Sequence, residues 1–97
     1  MKFDADIFDA VEFDDIESVK MYWTDEIDVD YQDMNGTTLL MLACSYNNKT
    51  IVEFLLQHEP QINLRNKNNV SAVDLAFKHE DKDIYNMLLE HQNNRSI

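Results

Sequence analysis

A chain of 97 residues forms one domain, and at that size folding buries only about 60 to 65 % of the surface the unfolded chain exposes, which argues against a deep enclosed active site. Its composition, 44 % hydrophobic and 28 % charged, is that of a globular protein, and the single glycine and proline, Gly36 and Pro60, disfavour a turn-rich sheet and favour helices. A net charge of −11 lacks the clustered Lys and Arg that a nucleic-acid backbone or an anionic membrane surface requires, and points to a basic partner.

That charge is unevenly placed. Residues 1–36 hold twelve acidic and two basic side chains, whereas residues 37–97 hold seven and six. The start, Met1 to Asp6, turns acidic before a signal peptide could form, and no stretch approaches the ~20 apolar residues of a membrane span. Cys44 is the sole cysteine and can form no internal disulfide, so a reducing, cytoplasmic setting is expected. Glycosylation-type triplets begin at Asn35, Asn48, Asn69 and Asn94 and are read as turn asparagines.

Taken in chain order, the first segment, about residues 4–32, predicts two short helices separated by the polar pair Asp14–Asp15, with Tyr22 and Trp23 as packing residues of the second. A turn follows from Tyr31 to Gly36, where Gly36 supplies a positive backbone angle. The middle segment, 33–65, repeats the pattern: an apolar run from Leu39 to Ala43, the polar pair Asn47–Asn48, then a helix near Lys49–His58. That helix carries Ile51, Val52, Leu55 and Leu56 on one stripe and is expected to stop at Pro60. A second turn, Leu64 to Asn69, leads into the last segment, 66–97, with Glu80–Asp81 as its polar pair.

These segments are copies of one unit with a period of 33 residues. That offset places Leu40 on Val73, Ala43 on Ala76, Ile51 on Ile84, Leu55 on Leu88 and Gly36 on Asn69. Backwards it places Leu40 on Ile7, Ala43 on Ala10, Val52 on Val19, Leu55 on Tyr22 and Leu56 on Trp23. One such hairpin cannot bury its apolar face alone, so stacking is required, and about three copies is near the minimum for stability.

At the start of the middle copy, Asp33-Met34-Asn35-Gly36-Thr37-Thr38-Leu39-Leu40-Met41-Leu42-Ala43 resembles the D-x-x-G-x-T-P-L-H-x-A signature of the ankyrin repeat family, and Ser71-Ala72-Val73-Asp74-Leu75-Ala76 occupies the same slots in the third copy. The resemblance covers nearly the whole chain and implies an all-α ankyrin-repeat solenoid of three stacked helix-turn-helix units with short turns between them. Leu39 and Ala72 stand where the family has proline, and Met41 and Asp74 where it has histidine. These departures are expected to loosen the helix starts while leaving the fold intact.

Residues capable of chemistry are few and poorly arranged for it. His58, His79 and His91 are read as helix-end residues facing the negative pole of the helix dipole. His79-Glu80-Asp81 lacks the spacing that brings metal ligands onto one face, and Cys44 beside Ala43 reads as a small buried hydrophobe. Asp28, Asp30 and Asp33 weakly echo a calcium loop, but Asp33 and Leu39 occupy the places of its required Gly and Glu. One glycine permits no phosphate-binding glycine loop. No metal, no cofactor and no catalysis are expected.

The family resemblance implies binding through the turn tips and the inner helices. Residue by residue it nominates Glu12 and Phe13 from the first copy, Met34, Asn35, Thr37, Ser45 and Tyr46 from the middle copy, and Lys67, Asn68, Val70, Lys78 and His79 from the third, as one groove. Phe13, Tyr46 and His79 share one slot at the end of the first helix, where an exposed aromatic makes an interface anchor. The expected function is occupation of a basic protein, inhibiting or shielding it as immunity proteins and antitoxins do, by a chain monomeric when free. Two alternatives are an adaptor joining two proteins and an acidic mimic of nucleic acid; an enzyme or metal-dependent regulator built on Cys44 and the histidines is a further one.

Overall fold

Each copy begins with a hydrogen-bonded turn that sets where its first helix starts. In the computed structural model, which describes residues 2–95, the Asp33 carboxylate accepts the backbone N–H groups of Asn35 (2.8 Å) and Thr37 (2.9 Å). At the positions 33 residues on, the Asn66 side chain accepts those of Asn68 (2.9 Å) and Val70 (3.0 Å). Each turn closes through a left-handed residue, Gly36 at φ +78° and Asn69 at φ +66°, as their offset predicts. A methyl group on Gly36 would stand 3.0 Å from the backbone of Asn66 and Lys67, so a side chain at this slot would push the two turns apart by a few tenths of an ångström as well as strain the positive φ. The tips are joined by the N–H of Lys67 donating to the Asn35 carbonyl at 3.0 Å.

The helices then start on capping boxes. Thr38 caps α3 (Leu39–Ser45) and Ser71 caps α5 (Ala72–Phe77), each side chain accepting the N–H of the third helical residue. Those third residues are Met41 and Asp74, the replacements for the family histidine, and they bond back: the Met41 sulfur accepts from the Thr38 N–H at 3.5 Å and the Asp74 carboxylate from the Ser71 N–H at 3.1 Å. The expected loosening of the helix starts is therefore offset by the replacements themselves.

Short turns join the helices of each pair. After α1 (Lys2–Glu12), Asp14 turns left-handed at φ +57°, the N–H of Asp14 reaches the Val11 carbonyl (3.1 Å) and that of Asp15 reaches Ala10 (2.9 Å), which closes the helix before α2 (Ile16–Tyr22). After α3 the same motif recurs at Asn47 (φ +59°) and Asn48, ahead of α4 (Lys49–Leu56). The turn between α5 and α6 (Asp83–Arg95) differs: the Lys82 ammonium donates to the carbonyls of Phe77 and His79 and so satisfies the orphan acceptors at the end of α5. The helix predicted to reach His58 ends at Leu56, where Glu59 turns left-handed at φ +59°; Pro60 lies beyond the stop and is buried.

The three pairs stack in chain order, and the described residues contain no strand, only an isolated bridge between Arg65 and Ser71. The first helices α1, α3 and α5 pack against one another more closely than α2, α4 and α6 do. One continuous core runs through the stack, and the positions superimposed by the offset of 33 supply it: Ala10, Ala43 and Ala76; Val19 and Val52; Ile51 and Ile84; Leu55 and Leu88. Ion pairs at the surface and a buried hydrogen bond tie the units together. Lys49 lies 2.7 Å from both Asp81 and Asp83, which hold its ammonium above the ordinary lysine range, and the Asn48 amide donates across to the Val11 carbonyl at 2.9 Å.

Candidate protein-binding surface

Along the stacked tips and first helices, the nominated residues fall into columns, one side chain per copy. Met34 and Lys67 project from the two tips, Met34 being 85 % exposed, with exposed Asn35 and Asn68 beside them and half-buried Thr37 and Val70 below. At the ends of the first helices Glu12, Ser45 and Lys78 form an exposed column. Next to it are Phe13, 75 % exposed, and Tyr46, 50 % exposed, both on the motif that ends their helix.

The third member of that aromatic column is placed differently. His79 is half-buried, with its Nε2 2.9 Å from the carbonyl of Cys44 and 3.1 Å from that of Ser45. Both partners are acceptors, so Nε2 carries the proton, and the ring closes the exposed end of α3 from the neighbouring copy. Its nomination as an anchor rested on a shared slot. The slot is shared, but the side chain is committed to the fold.

Of the other histidines, His58 keeps the helix-end place read from the sequence and adds a packing role. It follows α4, and its ring stacks on Trp23 (centroids 4.5 Å apart) and meets Phe54 at 5.0 Å, while Trp23 and Phe54 are edge-to-face at 5.2 Å. This cluster seals α2 against α4, so Tyr22 and Trp23 are half-buried and packed on the core, as read from the sequence. His91 lies inside α6.

Cys44 is buried, as expected, and burial pushes its thiol up to about 12, which leaves no thiolate at neutral pH. The aspartates that echo a calcium loop serve the backbone: Asp28 accepts the Asp30 N–H (2.9 Å), Asp30 accepts that of Gln61 (2.9 Å), and Asp33 shapes its turn. Among the described residues no three His, Cys, Asp or Glu side chains are grouped as a metal ion requires, and no helix is long and apolar enough to cross a membrane.

Sequence reasoning missed a cleft of about 230 Å³ on the face of the first copy that points away from the second, walled by Asp6, Asp9, Phe13, Asp15 and Tyr22. Phe13 lies on its edge, so this aromatic belongs as much to the end of the stack as to the column it shares with Tyr46. The Asp15 carboxyl is held below its usual range, chiefly by the Ser18 hydroxyl at 2.7 Å and also by the Ser18 N–H. The identities of the slots in the other copies could have signalled the cleft, because Asp6 and Ser18 stand where those copies have Leu39 or Ala72 and Ile51 or Ile84.

Stacked helical hairpins with a solvent-facing row of tips define a helical repeat module. The family model for ankyrin repeats, in 3 copies, matches residues 7–96, and the chain belongs to the ankyrin repeat family. A chain in the solved structure of the predatory endopeptidase Bd0816 from Bdellovibrio bacteriovorus in complex with immunity protein Bd3460 is similar at 30 % identity and a TM-score of 0.81. The match covers 89 % of this chain and 45 % of that one, so the present chain spans less than half the length of its structural neighbour. No curated protein matches the sequence.

Proposed function

We propose that this chain is a non-catalytic inhibitor or shield that acts by occupying the surface of a basic partner protein. The observation that carries the reading is the pairing of large exposed apolar side chains, Phe13, Met34 and Tyr46, with the acidic first third of the chain. Apolar anchors supply affinity where they are desolvated on docking. The exposed carboxylates of the first copy beside Phe13, Asp6, Asp9, Glu12 and Asp14 among others, steer a cationic surface to that end of the molecule. The likeness to a complex of an endopeptidase with its immunity protein makes an endopeptidase the first class of partner to test. The proposed setting is the cytoplasm, with the free chain a monomer.

The test starts from affinity capture in the native host, followed by calorimetry on the captured protein. Affinity is expected to fall about tenfold or more between about 50 and 500 mM salt, because the Debye length shrinks several-fold over that range. The partner's activity is expected to be lost on binding. Salt-independent affinity, or an acidic partner, contradicts the electrostatic part; an activity unchanged in the complex favours the adaptor reading.

A further inference from the structure

Four of the slots that line the end cleft are closed in the other two copies. Leu39 and Ala72, Ala43 and Ala76, Ile51 and Ile84, and Leu55 and Leu88 are all buried. Among the described residues the middle and last copies each have a helix pair stacked on their N-terminal side, and these are the slots that such a neighbour covers. The first copy holds Asp6, Ala10, Ser18 and Tyr22 in them, with exposed Asp9 in the slot of half-buried Leu42 and Leu75.

A face that only caps the stack is expected to carry polar side chains. This one also carries two aromatic side chains: Phe13 keeps three quarters of its surface in solvent, and the half-buried Tyr22 lines the cleft as well. Two aromatic rings and three aspartates therefore surround one open cleft. Among protein side chains, a guanidinium matches that combination best: it is planar, always charged, presents a fork of donors to carboxylates, and lies flat on aromatic rings. An ammonium is a compact, strongly hydrated charge that gains less from the rings.

We propose that the end cleft is the docking point for an arginine side chain of the basic partner, with Asp6 and Asp9 neutralising the guanidinium and Phe13 and Tyr22 flanking it. This rests on the reading of the chain as a binder of basic proteins and adds which residue of the partner anchors it and where. Asp15, already engaged by Ser18, contributes charge to the cleft wall.

The full chain, isotope-labelled, is titrated with acetyl-Gly-Arg-Gly-amide and with the same peptide carrying neutral citrulline in place of arginine, while backbone and aromatic NMR signals are followed. The arginine peptide is expected to shift Asp6, Asp9, Phe13, Ser18 and Tyr22 along a saturating curve, and the citrulline peptide to bind at least about tenfold more weakly, the loss of one charge-assisted interaction. The double variant Asp6→Asn with Asp9→Asn alters exposed positions only and is expected to keep the native spectrum elsewhere while losing the response. Shifts spread evenly over the acidic residues 12–33, an equal response to citrulline, or the same local shifts from calcium chloride would overturn the proposal. With the captured partner, binding lost in Tyr46→Ala but kept in the double variant removes the arginine anchor and leaves the broader function standing. A cleft that saturates with the arginine peptide, in a chain that retains no basic protein, does the reverse.

Discussion

The first and middle copies share one backbone plan and use it oppositely. Leu39, Ile51 and Leu55 lie fully inside the stack, whereas Asp6, Ser18 and Tyr22, one period earlier, line an open cleft. Even the polar pairs diverge: Asn48 is buried and reaches across to Val11, while its counterpart Asp15 is exposed and caps its own helix. A repeat's period thus sets where its side chains sit. Whether a given position becomes core or recognition surface depends on what the neighbouring copy covers.

The contrast is broken most directly at matched slots. Leu55→Ala should cost about 2 to 5 kcal/mol, the usual range for a large-to-small change in a closed core, and Tyr22→Ala, at the open face, roughly half of that or less. Urea unfolding followed by Trp23 fluorescence measures both, and equal losses would mean that the first copy is as closed as the middle one. A smaller effect is expected at the boundary between the copies. Asn48→Ala removes the amide donated to the Val11 carbonyl, which keeps its bond from the Asp14 N–H, so the loss is about 1 kcal/mol, the net value of one hydrogen bond. It should appear in native-state hydrogen exchange as faster opening of α1 and α2 with α5 and α6 little changed.

The smallest effect concerns the helix caps in acid. The Asp15 carboxyl is lowered chiefly by the Ser18 side chain and the Asp74 carboxyl chiefly by the Ser71 N–H, both from an ordinary value of 3.8. A depressed native value means that each cap stabilises fully above 3.8 and that its contribution is lost as the pH falls through the lower folded value. Unfolding midpoints of Asp15→Ala and Asp74→Ala should therefore lie below wild type by a constant amount at neutral pH and converge with it as the pH falls below the lowered folded values. Both groups are exposed, so the two variants should behave alike; a difference that persists in acid would show that the caps act through packing.

Much of the architecture could be read from the residues in order, because its causes are local. The turn signals at Asp33, Gly36, Asn66 and Asn69 and the apolar stripe of α4 each depend on neighbours within about two helical turns, and the period of 33 is the recurrence of those local signals. The failures have a common form. Met41 and Asp74 appeared as losses from the family pattern, yet both close capping boxes. His79 shared a slot with Phe13 and Tyr46, yet it hydrogen-bonds to carbonyls 34 and 35 residues away. His58 follows the end of α4 as expected, but its ring also stacks on Trp23 from another copy.

The sequence by itself determined that this chain is a stack of three helical hairpins with an acidic first third, since hydrophobic period, turn residues and charge are written along the chain. Only the tertiary structure decided which members of each column face water. Exposure is a property of the space between copies: it sets Phe13 and Tyr46 free, commits His79 to the backbone of α3, and leaves a cleft at Asp6 and Asp9 where the later copies have closed core.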